Sequence, residues 1–213
     1  MGEYILPTNI LEAGIDESNR GGLIGEVVSA CVVMKYTEDE IEINKYKEIK
    51  DSKKLTTKKR TMLVEYIKNN SVTYGIGTAS VEEIDSINIL NATMKAMRRA
   101  ANEAYKKHYF EKILVDGPYF NGYIPAGEDS EMIPHECIIK GDSKYINIAA
   151  ASILAKDYHG KNIIKLVKDN AELEKYGLLK NQGYGTALHL NAIKEYGISK
   201  WHRKSFKCCN VLK

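Results

Sequence analysis

Four carboxylates stand where a hydrolytic site could be assembled. Asp16 and Glu17 are adjacent at the end of the apolar run 10–16 and just before the turn-like Ser18-Asn19-Arg20-Gly21-Gly22. Successive side chains of a strand point to opposite faces, so both acids serve one site only if the chain leaves the pleat there. The glycines permit such a departure and a close backbone approach to a ligand; the alternative is a solvated strand end. Asp116 ends the apolar Ile113-Leu114-Val115 and precedes Gly117-Pro118, the C-terminal strand edge at which α/β sheets place ligand groups, although Asp before Gly also initiates turns. Asp142 follows Lys140-Gly141 and opens a small-residue segment, where it reads equally as a helix N-cap. An acid set with no competing His or Cys cluster suits a hard, oxygen-preferring ion, Mg²⁺ or Mn²⁺. No Ser, Cys or His arrangement for nucleophilic catalysis presents itself. His135, His159, His189 and His202 are scattered along the chain and read as structural.

The elements that must position these residues are legible from periodicity. Residues 10–16 and 24–34 read as strands in a hairpin-like start, 72–80 alternates as a third, and 112–116 and 135–139 give two more. Residues 58–69 and 88–107 carry helical stripes, with Leu90, Met94, Met97, Ala101 and Ala104 on one core-facing side. The run 146–155 is apolar all round and rich in small residues, which predicts a buried helix packed closely on the sheet. A last helix over 187–196 stops at Gly197. The expected fold is α/β: a mixed five-stranded sheet flanked by helices, with a small C-terminal helical appendage. One domain spans 1–213, with residues from about 165 to 213 as its extension.

With 213 residues, 44% hydrophobic and 28% charged, the chain has an ordinary globular composition, unlike disordered, collagen-like or membrane sequences. No stretch approaches the roughly 20 apolar residues of a membrane helix, and no basic region with an apolar run opens the chain. A cytoplasmic, membrane-free protein is expected. Cys31, Cys137, Cys208 and Cys209 follow no zinc spacing and read as reduced thiols. The net charge of +3 is too small to identify a nucleic-acid binder, but its distribution is informative. Lys53, Lys54, Lys58, Lys59 and Arg60 cluster around one acid, Asp51, while Lys200, Arg203, Lys204, Lys207 and Lys213 follow Glu195 without any. Lys58-Lys59-Arg60 suits a solvated helix face. In the C-terminal stretch Trp201 and Phe206 could anchor the chain while Arg203 and Lys204 face a duplex.

An ordered series of motifs then carries a family resemblance. Gly14-Ile15-Asp16-Glu17 with Arg20-Gly21, Asp51-Ser52-Lys53-Lys54-Leu55, Ile84-Asp85 with Asn88-Ile89, Val115-Asp116-Gly117, Lys140-Gly141-Asp142, residues 149–156, Gly183-Tyr184-Gly185-Thr186 with His189, and His202-Arg203 with Ser205-Phe206 together resemble ribonuclease HII, in the same order and over nearly the whole chain.

The resemblance implies a ribonuclease H-like sheet and a metal-dependent endonuclease that hydrolyses the RNA strand of RNA–DNA hybrids. It implies incision 5′ of single ribonucleotides in duplex DNA, with 5′-phosphate and 3′-hydroxyl ends, in DNA replication and repair. Asp16, Glu17, Asp116 and Asp142 match the family's catalytic, metal-binding carboxylates, for Mg²⁺ or Mn²⁺ as two ions with substrate bound. Arg20 and Gly21 match the loop that contacts the ribonucleotide, with Asn19 as its first, substrate-binding position, and Tyr184 matches the tyrosine that reads the RNA-to-DNA step. Lys53 and Lys54 fall in a segment expected near the phosphate backbone. A monomer without an obligate protein partner is expected. Ribonuclease HIII, the nearest rival, carries an extra N-terminal substrate-binding domain, which is not expected here; against a non-catalytic binding subunit stands the full set of acids. The chain departs from the family pattern at Asn19 for Gly, at Gly22 and Glu26 for Pro, at Asp157-Tyr158-His159-Gly160, and at Gln182 for a basic residue. Asn19 is expected to narrow the approach of the ribose.

Overall fold

The computed structural model describes residues 5–49, 56–127 and 130–210. Five strands, β1 (Glu12–Ser18), β2 (Val27–Met34), β3 (Ser71–Ala79), β4 (Lys112–Asp116) and β5 (His135–Ile138), form one mixed sheet in the order β3-β2-β1-β4-β5. β1–β2 and β2–β3 are antiparallel, and β1–β4 and β4–β5 are parallel. The helices are α1 (Glu40–Glu48), α2 (Thr57–Asn70), α3 (Val81–Tyr105), α4 (Ile146–Asp169), α5 (Leu178–Asn181), α6 (Ala187–Tyr196) and α7 (Lys207–Asn210). Among the described residues no helix is long and apolar enough to cross a membrane.

Both faces of the sheet are covered, so every residue of β2 is buried and the strand reads as a continuous apolar run. Val28, Ala30, Val32 and Met34 pack against α2 and the first half of α4. Ala13, Ile15, Cys31 and Val33 pack on the other side against Met97, Ala100, Ala101 and Ala104 of α3. Each large aliphatic side chain buried in these layers contributes about 1.5–3 kcal/mol of transfer free energy. α4 lies directly on β1: a Cβ at Gly14 would overlap the backbone of Asn147 and Ile148. Asn147 clips the start of α4 across two strands, accepting from the Met34 amide (3.0 Å) and donating to the Glu12 carbonyl (2.7 Å). A third cluster lies beyond the sheet, where Leu23 and Ile24 meet Ile163, Leu173, Tyr176, Leu178 and Ile193.

Three elements differ from expectation. α1 has a single buried residue, Tyr46, and so shows no apolar stripe in the sequence. α3 begins at Val81, capped by reciprocal Ser80 and Glu83 bonds, and carries a kink at Asn88 (φ 66°, ψ 164°). There the Asn88 side chain recaps the following turn by accepting from the Asn91 amide (3.1 Å). α4 continues past the apolar run to Asp169, across the boundary expected near 165.

Candidate active site

The parallel register of β1 and β4 runs from Glu12↔Lys112 to Ile15↔Val115, and its next step sets Asp16 beside Asp116. Gly14 and Leu114, two residues earlier on each strand, both lie against Ile148 of α4. By strand alternation the two aspartates emerge on that same side. Ser152 of α4 hydrogen-bonds the Asp16 carboxylate, and Lys156, one turn on, lies within its electrostatic reach; the Lys156 ammonium donates to Ser152 Oγ (2.7 Å). Asp16 Oδ1 also accepts from the Glu17 amide (2.7 Å), and Ser29 Oγ donates to the Asp16 carbonyl (2.8 Å). Sequence reasoning gives Ser152 and Lys156 no role. The signal that could have found them is a polar pair at i,i+4 in an otherwise apolar helix.

Asp116 Oδ1 accepts from the Gly141 amide (2.6 Å) and more distantly from the Asp142 amide (3.4 Å). The short 3₁₀ turn Gly141–Ser143 that carries Asp142 is therefore docked on Asp116. The N-cap position of α4 is Tyr145, so Asp142 is not the cap its sequence position also allowed. The pleat continues through the acid pair as well: β1 pairs with β2 as far as Ser18↔Val28, and the chain turns away only at Asn19 (φ 65°). The departure from the pleat therefore falls in the Ser18–Gly22 turn, where the sequence places it, with the acid pair still inside the strand.

Charge accumulates at this strand end. Burial, then the neighbouring Glu17, pushes the Asp16 carboxyl up to about 8, with Asp116 adding to the shift and Ser152 and Lys156 opposing it. Burial also raises Glu17, with Asp116 in the same direction, against the Arg20 guanidinium 3.6 Å away. Both effects bias the pair toward the neutral acids, a bias that a bound cation reverses. The donors are all carboxylate oxygens, which fits a hard divalent ion. Among the described residues no three acid, imidazole or thiol groups already converge on one point, as expected where strand alternation separates Asp16 from Glu17 and backbone amides hold Asp16 and Asp116.

The loop after β1 folds inward. Asn19 is fully buried, its amide donating to the carbonyls of Ile24 (3.0 Å) and Glu26 (2.8 Å). It is among the few non-glycine residues that tolerate a positive φ. The side chain therefore staples the loop from within and does not project into the ribose approach, contrary to the sequence expectation. Gly21 faces the Tyr184 ring, 4.0 Å from where its Cβ would be, and Gly22 pairs with Tyr184 in an antiparallel bridge. Tyr184 remains 42% exposed, free to meet a ligand.

Arg203 overturns a second expectation. It is fully buried and cannot face a duplex. Its guanidinium donates to the carbonyls of Gly25 (2.9 Å), Arg20 (3.1 Å), Gly22 (2.7 Å) and Asn19 (2.8 Å). Trp201 and Phe206 do pack on the third cluster. His189 and His202, scattered in sequence, meet at 3.0 Å between their Nε2 atoms. Lys53 and Lys54 lie outside the described residues.

Several departures from the family pattern touch one another: Asn19 with Gly22 and Glu26, and His159 with Gln182. A Cβ on Gly22 would overlap Asn19 Oδ1; the Glu26 carboxylate accepts from Asn162; and the His159 ring, its pKa lowered by burial, bonds the Gln182 carbonyl (2.9 Å).

Known proteins resemble this chain over nearly its whole length. The family model described as ribonuclease HII matches residues 13–209. The chain is 45% identical over 200 residues to a ribonuclease HII from Christiangramia forsetii, covering 94% of this chain and 92% of that one. The crystal structure of ribonuclease H2 from Pyrococcus horikoshii superposes with a TM-score of 0.69 at 24% identity, over 93% of this chain and 95% of the other. That of Bst-RNase HIII in complex with Mn²⁺ gives 0.69 at 18% identity, over 94% and 68%. At these identities the two structures speak for the fold.

Proposed function

The chain belongs to the ribonuclease HII family and is a ribonuclease H acting on RNA–DNA hybrids; from that premise we propose that it also incises 5′ of single ribonucleotides in duplex DNA, with Mg²⁺ or Mn²⁺, leaving 5′-phosphate and 3′-hydroxyl ends. The observation that carries the reading is the placing of Asp16 and Asp116 side by side at one strand end, with Glu17 and Asp142 on the adjoining backbone. These four residues would hold the divalent ions. Bound there, such ions supply Lewis-acid stabilisation of the charge that develops at phosphorus and on the departing oxygen.

The chain's own groups do the rest. Ser152 and Lys156 fix the Asp16 carboxylate. The exposed backbone at Arg20-Gly21 can approach a ribose closely enough to contact its 2′-hydroxyl, the group that distinguishes RNA from DNA. Tyr184, beside Gly21, stacks on the following nucleotide. Water attacks phosphorus, the P–O3′ bond breaks, and the 3′-oxygen leaves as a hydroxyl. We take the working form to be a cytoplasmic monomer without an obligate protein partner, serving DNA replication and repair.

The test is cleavage of two end-labelled duplexes, an RNA–DNA hybrid and a DNA duplex with one ribonucleotide, with Mg²⁺ and with Mn²⁺. Cutting of both with 3′-hydroxyl ends is expected. A hybrid-only activity removes the single-ribonucleotide part of the reading.

A further inference from the structure

Three short segments run side by side outside the main sheet, with the loop after β1 in the middle. On one flank Gly22 bridges Tyr184 and the Leu23 amide donates to Gly183 (2.8 Å). On the other, Ile24 bridges His202, the Arg203 amide donates to Leu23 (2.9 Å) and the Gly25 amide to Trp201 (3.0 Å). The Arg203 side chain then reaches under the loop to four of its carbonyls.

The neighbouring residue reaches the opposite flank. The Ser199 amide donates to His202 Nδ1 (2.9 Å), which puts the His202 proton on Nε2. That N–H donates to His189 Nε2 (3.0 Å), which puts the His189 proton on Nδ1, and this donates to the Tyr184 carbonyl (3.1 Å). Every ring nitrogen is used, and each tautomer follows from its partner. Both rings are fully buried and pack against Tyr176.

We propose that Arg203 and the His202–His189 pair are positioning residues for substrate selection, holding the Asn19–Gly25 loop and Tyr184 in one fixed relation so that a ribose and the nucleotide after it are read as a unit. This rests on the reading of that loop and Tyr184 given above. A guanidinium is required because its planar fork spans several acceptors at once; an ammonium keeps the charge but is a point donor. Arg203 finds no carboxylate among these four acceptors, so its burial is offset by charge-assisted bonds to carbonyls. Such an arrangement makes sense where loop geometry, more than stability, is what is being held.

The experiment compares Arg203→Lys and His202→Asn with the unsubstituted enzyme, with Tyr184→Ala as control. The readouts are kcat and KM on a duplex with one ribonucleotide and on an RNA–DNA hybrid of the same sequence, binding to an all-DNA duplex, and far-UV circular dichroism. A misplacement of the order of 1 Å costs about 10²-fold, so kcat/KM on the single ribonucleotide should fall by about that factor. The hybrid, which offers several registers, should lose less, and all-DNA binding should not move. A substrate ratio unchanged in folded Arg203→Lys and His202→Asn overturns the proposal when Tyr184→Ala does change it. A ratio unchanged in Tyr184→Ala overturns the underlying reading as well. Should Arg203→Lys fail to fold, His202→Asn alone decides between the same two outcomes.

Discussion

The Asn19 side-chain oxygen occupies the place that a Cβ on Gly22 would fill. Residues 19 and 22 are therefore one steric unit. Gly22→Ala should destabilise the protein by about 1–3 kcal/mol, the usual cost of overpacking, and the same substitution should cost much less when made in an Asn19→Gly background. Urea unfolding of both single variants and the double variant checks this. Additive effects would mean that the two positions accommodate change independently.

Asn19→Gly alone removes two internal bonds, to Ile24 and Glu26, each contributing about 1 kcal/mol. Because the side chain points inward, its loss loosens the loop without opening the ribose approach. The rate on a single embedded ribonucleotide should fall relative to the hybrid. A rise in that ratio would show that Asn19 obstructs the substrate.

Asp116→Asn should abolish cleavage while binding to a duplex stays within a few fold. The amide oxygen can still accept from Gly141, so the turn carrying Asp142 stays docked, but the charge available to a cation is gone. Turnover by the purified variant at saturating Mg²⁺ matching that of the unsubstituted enzyme would sink the assignment.

Burial, and then the adjacent His189, pushes His202 down to about 4, and burial also lowers His189. A histidine whose folded value is depressed contributes stability that is complete above its unfolded value near 6.5 and is lost as pH falls toward the folded one. Melting temperature should therefore drop as pH falls from about 6.5 toward 4, and His202→Asn should flatten that part of the curve. An equally steep curve in the variant would place the acid sensitivity elsewhere.

Lys53 and Lys54 are expected to neutralise phosphates of the duplex. Replacing both with Ala should make the slope of log affinity against log salt shallower by about 0.9 for every phosphate left without its lysine. A slope that does not change assigns them to solvent.

Local signals carried much of this architecture. β4 and α6 coincide with the expected ranges because Gly117-Pro118 and Gly197 punctuate them. Asp16 and Asp116 stood out for a similar reason, as carboxylates at the ends of apolar runs. What was not legible depended on distant partners. The register that sets Asp16 beside Asp116 joins strands a hundred positions apart, and no spacing within either strand states it. Arg203 sits in a basic stretch and reads as surface; only the ring of carbonyls supplied by residues 19–25 explains its burial. His189 and His202 are thirteen positions apart, which matches no helical or strand period. α1 escapes a periodicity reading because a helix that buries one tyrosine leaves no stripe.

The reach of Arg203 also has a temporal side. Its carbonyl acceptors lie 178 to 184 positions earlier in the chain. At synthesis rates of about 5–20 residues per second, the strand bearing Asp16 and Glu17 waits roughly ten to forty seconds on the ribosome before the residue that locks its loop is made. Between the completion of α4 and the arrival of Arg203, a nascent chain can hold its acids in place yet lack a fixed ribose contact. Cutting power thus matures vectorially, discrimination arriving last, and a translation product halted before Arg203 is expected to be a poorly selective nuclease at most.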